Sequence, residues 1–199
     1  TYVPEEQEAR FTAESSPLPI DHFDLIYFRA MPPVESPVLY TTHLLDQEKT
    51  LICNAPEAIR NLNEKLMTRR YKEFTPPTIV SANKDDIIDF AHHQGWPIIL
   101  KPVNQYQAKG VIRIHHEADV PHPDSYVIVQ PYLKQVESQG SKRIFMVNGK
   151  ALGAVTYLPL PQGYKTNDRL IVGHKKAHIT DRETILCTRL APFLREHGI

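Results

Sequence analysis

A single lysine follows a short apolar run and precedes a polar turn. Residues 98–100 are Ile-Ile-Leu, which is typical of a buried strand, and this strand should end at Lys101 because Pro102 lacks the amide that a ladder needs. Residues 104–110 form a polar turn with one glycine, and residues 111–114 resume a strand. A lysine placed in this way can put its ammonium on a phosphate that the backbone amides of the turn also face. A β-hairpin with a surface lysine is the simpler explanation, so this stretch alone does not define a site.

The histidines and cysteines form no recognisable metal or thiol motif. Residues 92–93 and 115–116 are adjacent histidine pairs, and neighbours on a strand, as predicted for 115–116, point to opposite faces. The sequence has no Cys-x-x-Cys, and no two histidines four residues apart with a glutamate between them. Cys53 lies in an apolar strand where a thiolate is poorly solvated, and Cys187 lies on a helix that mostly packs. We therefore predict neither a zinc site nor a catalytic cysteine.

The composition excludes several broad classes of protein. The 199 residues include 23 Lys and Arg against 23 Asp and Glu, and the balance gives no reason to expect nucleic acid as a partner. No long apolar run predicts a membrane span, and two cysteines are too few for a disulfide framework, which favours a reducing cytosol. The chain opens at Thr1 without a methionine, so a preceding segment is expected.

The elements that would position the lysine begin with an alternation of strands and helices. Residues 23–28 and 51–53 are short apolar runs, and residues 36–47 have a helical pattern. Asn54 is expected to cap a second helix that runs to about Arg70. This order predicts an α/β layer with a parallel sheet. The residues expected to face inward are Leu39, Leu44, Leu45, Ile59, Leu62 and Leu66.

A Thr-Pro-Pro segment at residues 75–77 is the best candidate for a domain boundary. After it, residues 79–80 predict a strand, and Asn83 should cap a helix that ends before Gly95. The lysine hairpin follows, and then a strand over residues 126–130.

The last third of the chain predicts a hairpin and a closing helix. Residues 143–147 and 151–157 are strands joined by the Asn-Gly pair at 148–149. Residues 158–176 have no clear pattern and are expected to be irregular. Thr180 and Glu183 then form a capping box for the final helix.

Three motifs stand in series, namely NEKLMT at residues 63–68, ILKP at 99–102 and VQPYL at 129–133. In this order they resemble the ATP-grasp ligases, and most closely the bacterial glutathione synthetases. The resemblance extends from about Leu18 to the end of the chain. It implies an α/β protein with an ATP-grasp-like fold, in which residues 1–75 form an N-terminal α/β domain on the substrate side. Residues 76–133 would form a mixed α+β lid, and residues 134–199 part of the C-terminal ATP-grasp subdomain.

The resemblance also implies roles for individual residues. Lys65 and Lys101 look like the two lysines that touch the nucleotide phosphates, although Lys65 also fits an exposed lysine on a helix. The segment at 130–133 resembles the hinge whose backbone binds the adenine edge. Lys109 and Gly110 resemble the end of the loop that closes over the phosphates. The hinge residues are Gln130, Pro131, Tyr132 and Leu133.

Further positions resemble substrate contacts. Arg143 resembles the catalytic arginine that faces the substrate carboxylate or the transferring phosphate, a role that suits the planar fork of guanidinium. Arg29 resembles a residue of the substrate pocket. Lys165 and Asn167 correspond to the family's Arg-Gly-Asn segment, of which only Lys165-Thr166-Asn167 is present.

The activity implied by the resemblance is a ligation in two steps. ATP phosphorylates a carboxylate, which in the glutathione case is that of γ-glutamylcysteine, and an amine, glycine, then attacks the acyl phosphate. ATP and Mg²⁺ are the implied cofactors, and the substrates are small molecules. The resemblance further suggests a cytoplasmic enzyme, and because family members are often oligomers, a homo-oligomer is a possible state. The charge balance and the lack of a long apolar run give no reason to expect nucleic acid or a membrane as a partner.

Departures from the family pattern leave a second function open. The loop at residues 104–110 has one glycine, Gly110, where the family has several, which limits close approach of its amides to phosphate. No acidic residue matches the family's metal ligands, which are expected on strands beyond Ile199, and the family's opening strand and helix are absent as well. The alternative is a non-catalytic relative that binds nucleotide or a partner without ligation. If the 199 residues are the whole polypeptide, we expect no ligation of γ-glutamylcysteine with glycine and little ATP hydrolysis, even if adenine nucleotide binds.

Overall fold

Two short parallel strands begin the fold. The computed structural model describes residues 18–30, 34–161, 163–165 and 171–199, with Ile171 given by its backbone alone. β1 (Leu25–Tyr27) pairs with β2 (Leu51–Cys53), and α1 (Ser36–Leu45) connects them. This arrangement confirms the predicted strand–helix–strand order and the parallel pairing.

The first layer is less buried than the sequence predicted. Residues 23–28 were expected to form one buried strand, but β1 covers three residues, and Leu25 and Tyr27 are exposed. Both strands are edges of a two-stranded sheet, which leaves their side chains partly uncovered. On α1, Leu45 is buried as predicted, whereas Leu44 is exposed because it lies about 100° further round the helix.

The second helix is much shorter than predicted. α2 (Pro56–Asn61) ends nine residues before Arg70, and two 3₁₀ turns follow it, Met67–Arg70 and Lys72–Phe74. The Oδ1 of Asn63 accepts hydrogen bonds from the backbone amides of Lys65 and Leu66, both at 3.0 Å, and these bonds compete with a continuing helix.

The predicted cap of this helix was also wrong. Ala55 occupies the N-cap position without a side-chain bond. The side chain of Asn54 instead donates from Nδ2 to the carbonyl oxygen of Phe28 at 3.2 Å. Asn54 therefore ties the end of β2 to the segment after β1.

A four-stranded antiparallel sheet forms the centre of the molecule. Its strands are β3 (Ile79–Ser81), β6 (Val127–Pro131), β4 (Ile98–Pro102) and β5 (Ile112–Ile114), in that spatial order. The β4–β5 hairpin confirms the pattern around the lysine, but β4 continues through Lys101 to Pro102. β5 begins at Ile112, opposite Leu100, so the amide that Pro102 lacks breaks no bond of that pair.

The hydrophobic core lies on one face of this sheet. α3 (Lys84–Gln94) covers that face, and Asn83 caps it as predicted, accepting from the amide of Asp85 at 2.9 Å, with Gly95 after its end. Successive strand residues point to opposite faces, so Ile98 and Leu100 are buried against α3 while Ile99 and Lys101 lie on the other face. The fully or almost fully buried core residues are Ile87, Ala91, Ile98, Leu100, Ile114, Val120 and Val129.

A second sheet and the closing helix complete the structure. β7 (Ser141–Val147), β8 (Lys150–Pro159) and β9 (Ile171–Ala177) form an antiparallel sheet in sequence order, and the predicted Asn-Gly turn joins the first two with both residues at positive φ. A short helix, α4 (Gln135–Gln139), precedes β7, and α5 (Asp181–Glu196) follows β9 with the predicted capping box. No described helix is long and apolar enough to cross a membrane.

β9 was missed because its residues do not look like a buried strand. The sequence predicted residues 158–176 to be irregular, yet β8 extends to Pro159 and β9 begins at Ile171. β9 contains a glycine, a histidine and two consecutive lysines. It is an edge strand, where charged residues are common because one side faces solvent.

We expect proteolysis to report the proposed division into three domains, at residues 1–75, 76–133 and 134–199. Thermolysin or proteinase K at low ratio should cut first within residues 75–78 or within the turn at 104–110, since neither is a helix or strand. Mass spectrometry of the first fragments is the measurement. First cuts inside α2 or α3 would contradict the division.

Candidate functional site

A cavity of about 270 Å³ lies on the face of the central sheet opposite α3. Apolar side chains make most of its walls, and polar groups enter from β4 and β6. It brings together six of the predicted site residues, namely Lys101, Gln130, Pro131, Tyr132, Leu133 and Lys165. The other lining residues are Ile99, Ala108, Val111, Val136 and Tyr164.

Lys101 is held in this cavity by a neighbouring amide. Its Nζ donates to Oε1 of Gln130 at 2.6 Å, and Nε2 of Gln130 donates to Oγ1 of Thr78 at 2.9 Å. The pKa of Lys101 is lowered, first by burial and then by the charge of Lys65. Lys101 is therefore not the surface lysine of a plain hairpin, but a half-buried cation facing an apolar cavity.

Lys65 approaches the same region from the segment after α2. Its Nζ donates to the backbone carbonyls of Pro102 and Val103, each at 3.1 Å, and to that of Gln105. Its side chain is 24% exposed and does not lie on a helix, so the alternative of an exposed helix lysine was wrong. In this structure Lys65 ties its own segment to the end of β4 and the following turn.

The turn after β4 takes positive φ at more positions than its sequence suggested. We predicted that only Gly110 takes such φ without strain, and the structure shows that Gln107 (φ 52°) and Ala108 (φ 58°) take positive φ as well. Residues other than glycine adopt positive φ only with an unfavourable free energy. Lys109 is exposed, with its ammonium 4.8 Å from the centre of the Tyr106 ring. The turn therefore holds two residues other than glycine in a conformation that favours glycine.

Replacement of Gly110 by alanine should destabilise the protein by about 1–3 kcal/mol. Gly110 has φ 66°, and an added Cβ would lie 2.8 Å from Cγ of Pro102. Gly153→Ala is the matched control, because an added Cβ there meets no atom within 4 Å and its φ is ordinary. Urea denaturation measures both. A Gly110→Ala protein as stable as the wild type would show that the turn does not hold this conformation.

The hinge presents few backbone donors to the cavity. Pro131 has no amide hydrogen, and the amide of Tyr132 donates to the carbonyl oxygen of Pro97 at 3.0 Å. The amide of Leu133 has no hydrogen-bond acceptor among the described residues, while its carbonyl accepts from Val136. Leu133 thus offers one free donor beside apolar walls, a combination that suits the edge of a flat heteroaromatic ring.

An aromatic cluster beside the cavity was not predicted. The guanidinium of Arg113 lies 4.7 Å from the centre of the Tyr132 ring and 4.9 Å from that of Tyr164. Arg113 also forms an ion pair with Glu137 at 2.9 Å, and Tyr132 donates its hydroxyl hydrogen to the same carboxylate. The pKa of Tyr132 is raised, mainly by burial and by this carboxylate, and the hydrogen bond from Tyr132 is the largest cause that lowers the pKa of Glu137.

Strand alternation could have located Arg113. Arg113 pairs with Ile99 across the β4–β5 hairpin, and paired residues share a face of the sheet. Ile99 lines the cavity, so Arg113 lies on the same side of the sheet as the site. No sequence signal pointed to Tyr164 or Glu137, which come from other elements.

Several predicted substrate residues lie apart from the cavity. Arg143 is on β7, exposed, with its guanidinium 4.5 Å from the centre of the Tyr157 ring, and it does not line the cavity. Arg29 is exposed after the end of β1. Lys165 lines the cavity, with Nζ 5.7 Å from the Tyr164 ring centre. Asn167 lies outside the described residues.

The described part of the chain holds no group of three or more His, Cys, Asp or Glu residues that could bind a metal ion. The position of the Mg²⁺ ligands therefore stays a prediction.

Solved structures identify the fold class. The structure matches D-cycloserine synthetase DcsG with a TM-score of 0.69 and 16% sequence identity, over 94% of this chain and 70% of that one. It also matches the ATP-grasp ligase PsnB, solved with a minimal precursor, Mg and ADP, with a TM-score of 0.57 and 14% identity, over 86% and 61% of the two chains. The chain has the ATP-grasp fold, as the sequence predicted.

Sequence comparison narrows the class to a family. The family model for the ATP-grasp domain of prokaryotic glutathione synthetase matches residues 64–199, and the model for the N-terminal domain matches residues 2–60. The glutathione synthetase of Prochlorococcus marinus (strain MIT 9313) is 33% identical over 200 residues, which cover 94% of this chain. The chain belongs to the prokaryotic glutathione synthetase family. It spans 64% of the length of that relative and 59% of the one from Nostoc sp. (strain PCC 7120 / SAG 25.82 / UTEX 2576).

Proposed function

We propose that the chain carries the nucleotide site of an ATP-dependent carboxylate–amine ligase that makes glutathione from γ-glutamylcysteine and glycine. The observation that supports this most is the cavity, where Lys101 and the hinge at Leu133 meet in a chain of this family. The adenine ring would lie between the apolar side chains, with its edge at the amide of Leu133. The first phosphates would lie at Lys101.

The protein groups in this proposal bind, orient and shield. The ammonium of Lys101 would offset phosphate charge in a partly desolvated site, where electrostatic interactions are stronger than in water. The amides of the 104–110 turn would cover the phosphates and keep water from an acyl phosphate. Mg²⁺, when bound, would offset charge on the transferred phosphoryl group. Arg143, Arg29, Lys165 and Asn167 remain proposed contacts of the carboxylate substrate and amine.

The alternative, a relative that binds nucleotide without ligation, is supported by specific observations. Lys65 already donates to three backbone carbonyls, so phosphate contact would require it to leave them. The turn after β4 holds Gln107 and Ala108 in conformations that favour glycine. Both features weaken phosphate binding beyond the first phosphate, while leaving the adenine side of the cavity intact.

Release of ADP that depends on Mg²⁺ separates the two proposals. We would assay the protein with ATP, γ-glutamylcysteine and glycine in the presence and in the absence of Mg²⁺, omitting each compound in turn, and measure ADP and glutathione by chromatography. Formation of glutathione that needs all three compounds supports the ligase. ATP binding with no ADP formation under any of these conditions supports the non-catalytic relative. Absence of ATP binding would contradict both.

The preference for ATP over adenosine should fall with rising pH. The fall should occur below the pH at which a lysine of ordinary pKa loses its proton. Because the pKa of Lys101 is lowered, its ammonium loses the proton earlier, and with it the attraction for phosphate. Dissociation constants of both ligands between about pH 7 and 10.5 give the ratio. The ratio should stay flat in Lys101→Ala. A wild-type preference that is constant up to the alkaline end would contradict the role of this lysine.

A further inference from the structure

A chain of three hydrogen bonds connects the domain boundary to Lys101. Oγ1 of Thr78 donates to the carbonyl oxygen of Pro76 at 2.7 Å. The same oxygen accepts from Nε2 of Gln130 at 2.9 Å, and Oε1 of Gln130 accepts from Nζ of Lys101 at 2.6 Å. All these groups are half-buried. No part of this chain was expected from the sequence, apart from the lysine and the glutamine at its end.

These three hydrogen bonds can run in only one direction. A hydroxyl has one hydrogen, and the carbonyl of Pro76 cannot donate, so the hydrogen of Thr78 goes to Pro76. The lone pairs of Oγ1 must then face a donor, which is the amide nitrogen of Gln130. This leaves the amide oxygen of Gln130 facing Lys101, which has donors only. Thr78 and Lys101 together therefore fix which way the Gln130 amide points, and Thr78 anchors its nitrogen end.

We propose that Thr78 is a positioning residue that, through Gln130, holds the Lys101 ammonium in place for the first phosphates of a nucleotide. The proposal rests on the proposed nucleotide site, and it adds to that site a residue that lies directly before β3. Without the hydroxyl, the NH₂ group of Gln130 loses its acceptor, and the amide is held only by its bond to Lys101. The amide is then free to move away from its present position, and it holds the ammonium less firmly.

The hydroxyl of Thr78 is separable from the framework of the sheet. β3 is paired with β6 through Ile79, Val80 and Ser81, and Thr78 lies just before this ladder. The hydroxyl contacts Pro76 and Gln130 and takes no part in the strand pairing. Its removal should therefore change the orientation of one amide without breaking the strand.

The test compares Thr78→Val with Thr78→Ser and with a matched threonine. Valine keeps the shape and removes the hydroxyl, while serine keeps the hydroxyl. Thr75→Val is the control, because the one hydroxyl hydrogen of Thr75 is shared between the carbonyls of Tyr71, at 3.2 Å, and Lys72, at 3.4 Å, within its own turn. If Thr78→Val fails to fold, judged by its unfolding transition, Thr78→Ala replaces it.

Two readouts keep this proposal distinct from the proposed function. The first is competitive acetylation of Lys101 by acetic anhydride across pH without nucleotide, read by mass spectrometry, which reports the pKa of this lysine. The second is the affinity for ATP and for adenosine. We expect Thr78→Val to lower the pKa of Lys101 further and to weaken the binding of ATP about three- to tenfold. The affinity for adenosine should change by less than about twofold. Thr78→Ser and Thr75→Val should match the wild type.

Three results would overturn the proposed role of Thr78. Unchanged Lys101 reactivity in Thr78→Val overturns the proposal, whatever happens to ATP. Changed reactivity in Thr75→Val, or no rescue in Thr78→Ser, also overturns it, since the effect would then not depend on this hydroxyl. If the wild type does not prefer ATP to adenosine, the proposed function fails, and the acetylation profile still shows whether Thr78 positions Lys101.

Discussion

Lys101→Ala should weaken ATP binding roughly ten- to a hundredfold, because a hydrogen bond to a charged group contributes about 1.5–3 kcal/mol. Adenosine binding should change by less than about threefold, since adenosine has no phosphate for the ammonium to contact. The structure supports this expectation, as Lys101 is half-buried on the wall of the cavity and held by one neutral acceptor, Gln130. The ammonium is thus available to an anion that can replace or join that acceptor.

Titration calorimetry of both ligands measures this effect. Lys150→Ala is the matched control, because Lys150 is an exposed lysine at the β7–β8 turn, away from the cavity. Its affinities should equal those of the wild type. Equal losses for ATP and adenosine in Lys101→Ala would mean that this lysine does not touch phosphate, and that the change acts through the shape of the cavity.

Leu100→Ala should lower the free energy of unfolding by about 2–5 kcal/mol, the cost of removing a large side chain from a close-packed core. Leu100 is 2% exposed and lies in the core beneath α3, directly before Lys101 on the same strand. Lys101→Ala should cost far less stability, since it removes a partly buried charge that is not part of that core. Neighbouring residues of β4 thus serve folding on one face and binding on the other.

Urea denaturation tests this contrast, with the same dependence of the free energy of unfolding on urea concentration fitted to all variants. Leu152→Ala is the control, because Leu152 is 68% exposed and its loss should change stability by less than about 0.5 kcal/mol. If Lys101→Ala were as destabilising as Leu100→Ala, the division of β4 into a core face and a site face would be wrong.

Local patterns predicted the elements whose causes are local. Asn83 before an amphipathic run, and Thr180 three residues before Glu183, were recognised because capping depends on a few adjacent residues. The Asn-Gly turn was found for the same reason. The short α2 was missed, because Asn63 bonds to the backbone after it, and propensity alone does not show which alternative a side chain chooses.

The sequence predicted those parts of the candidate site that belong to a short motif, but not the residues that surround them. Lys101 and the hinge at 130–133 stood out by motif, and they do meet in the cavity. The partners that shape their surroundings come from distant elements, as Thr78 does beside Gln130 and Tyr164 beside Arg113. Such contacts depend on the packing of several elements, which no spacing in the sequence encodes.

The turn at 104–110 shows a further limit of reading residue types. One glycine suggested one position with positive φ, but three residues take it, because the ends of β4 and β5 fix where the turn must start and finish. Tertiary constraints thus override the preferences of Gln107 and Ala108.

The central claim, that a nucleotide binds with its base in the cavity between the hinge and Tyr164, is tested most directly by photolabelling with 8-azido-ATP and mapping of the labelled peptide. The label should fall within residues 130–136 or on 163–165, and excess ATP should prevent it. Labelling confined to other parts of the chain, such as 55–62 or 195–198, or labelling that ATP does not prevent, would contradict the proposed site.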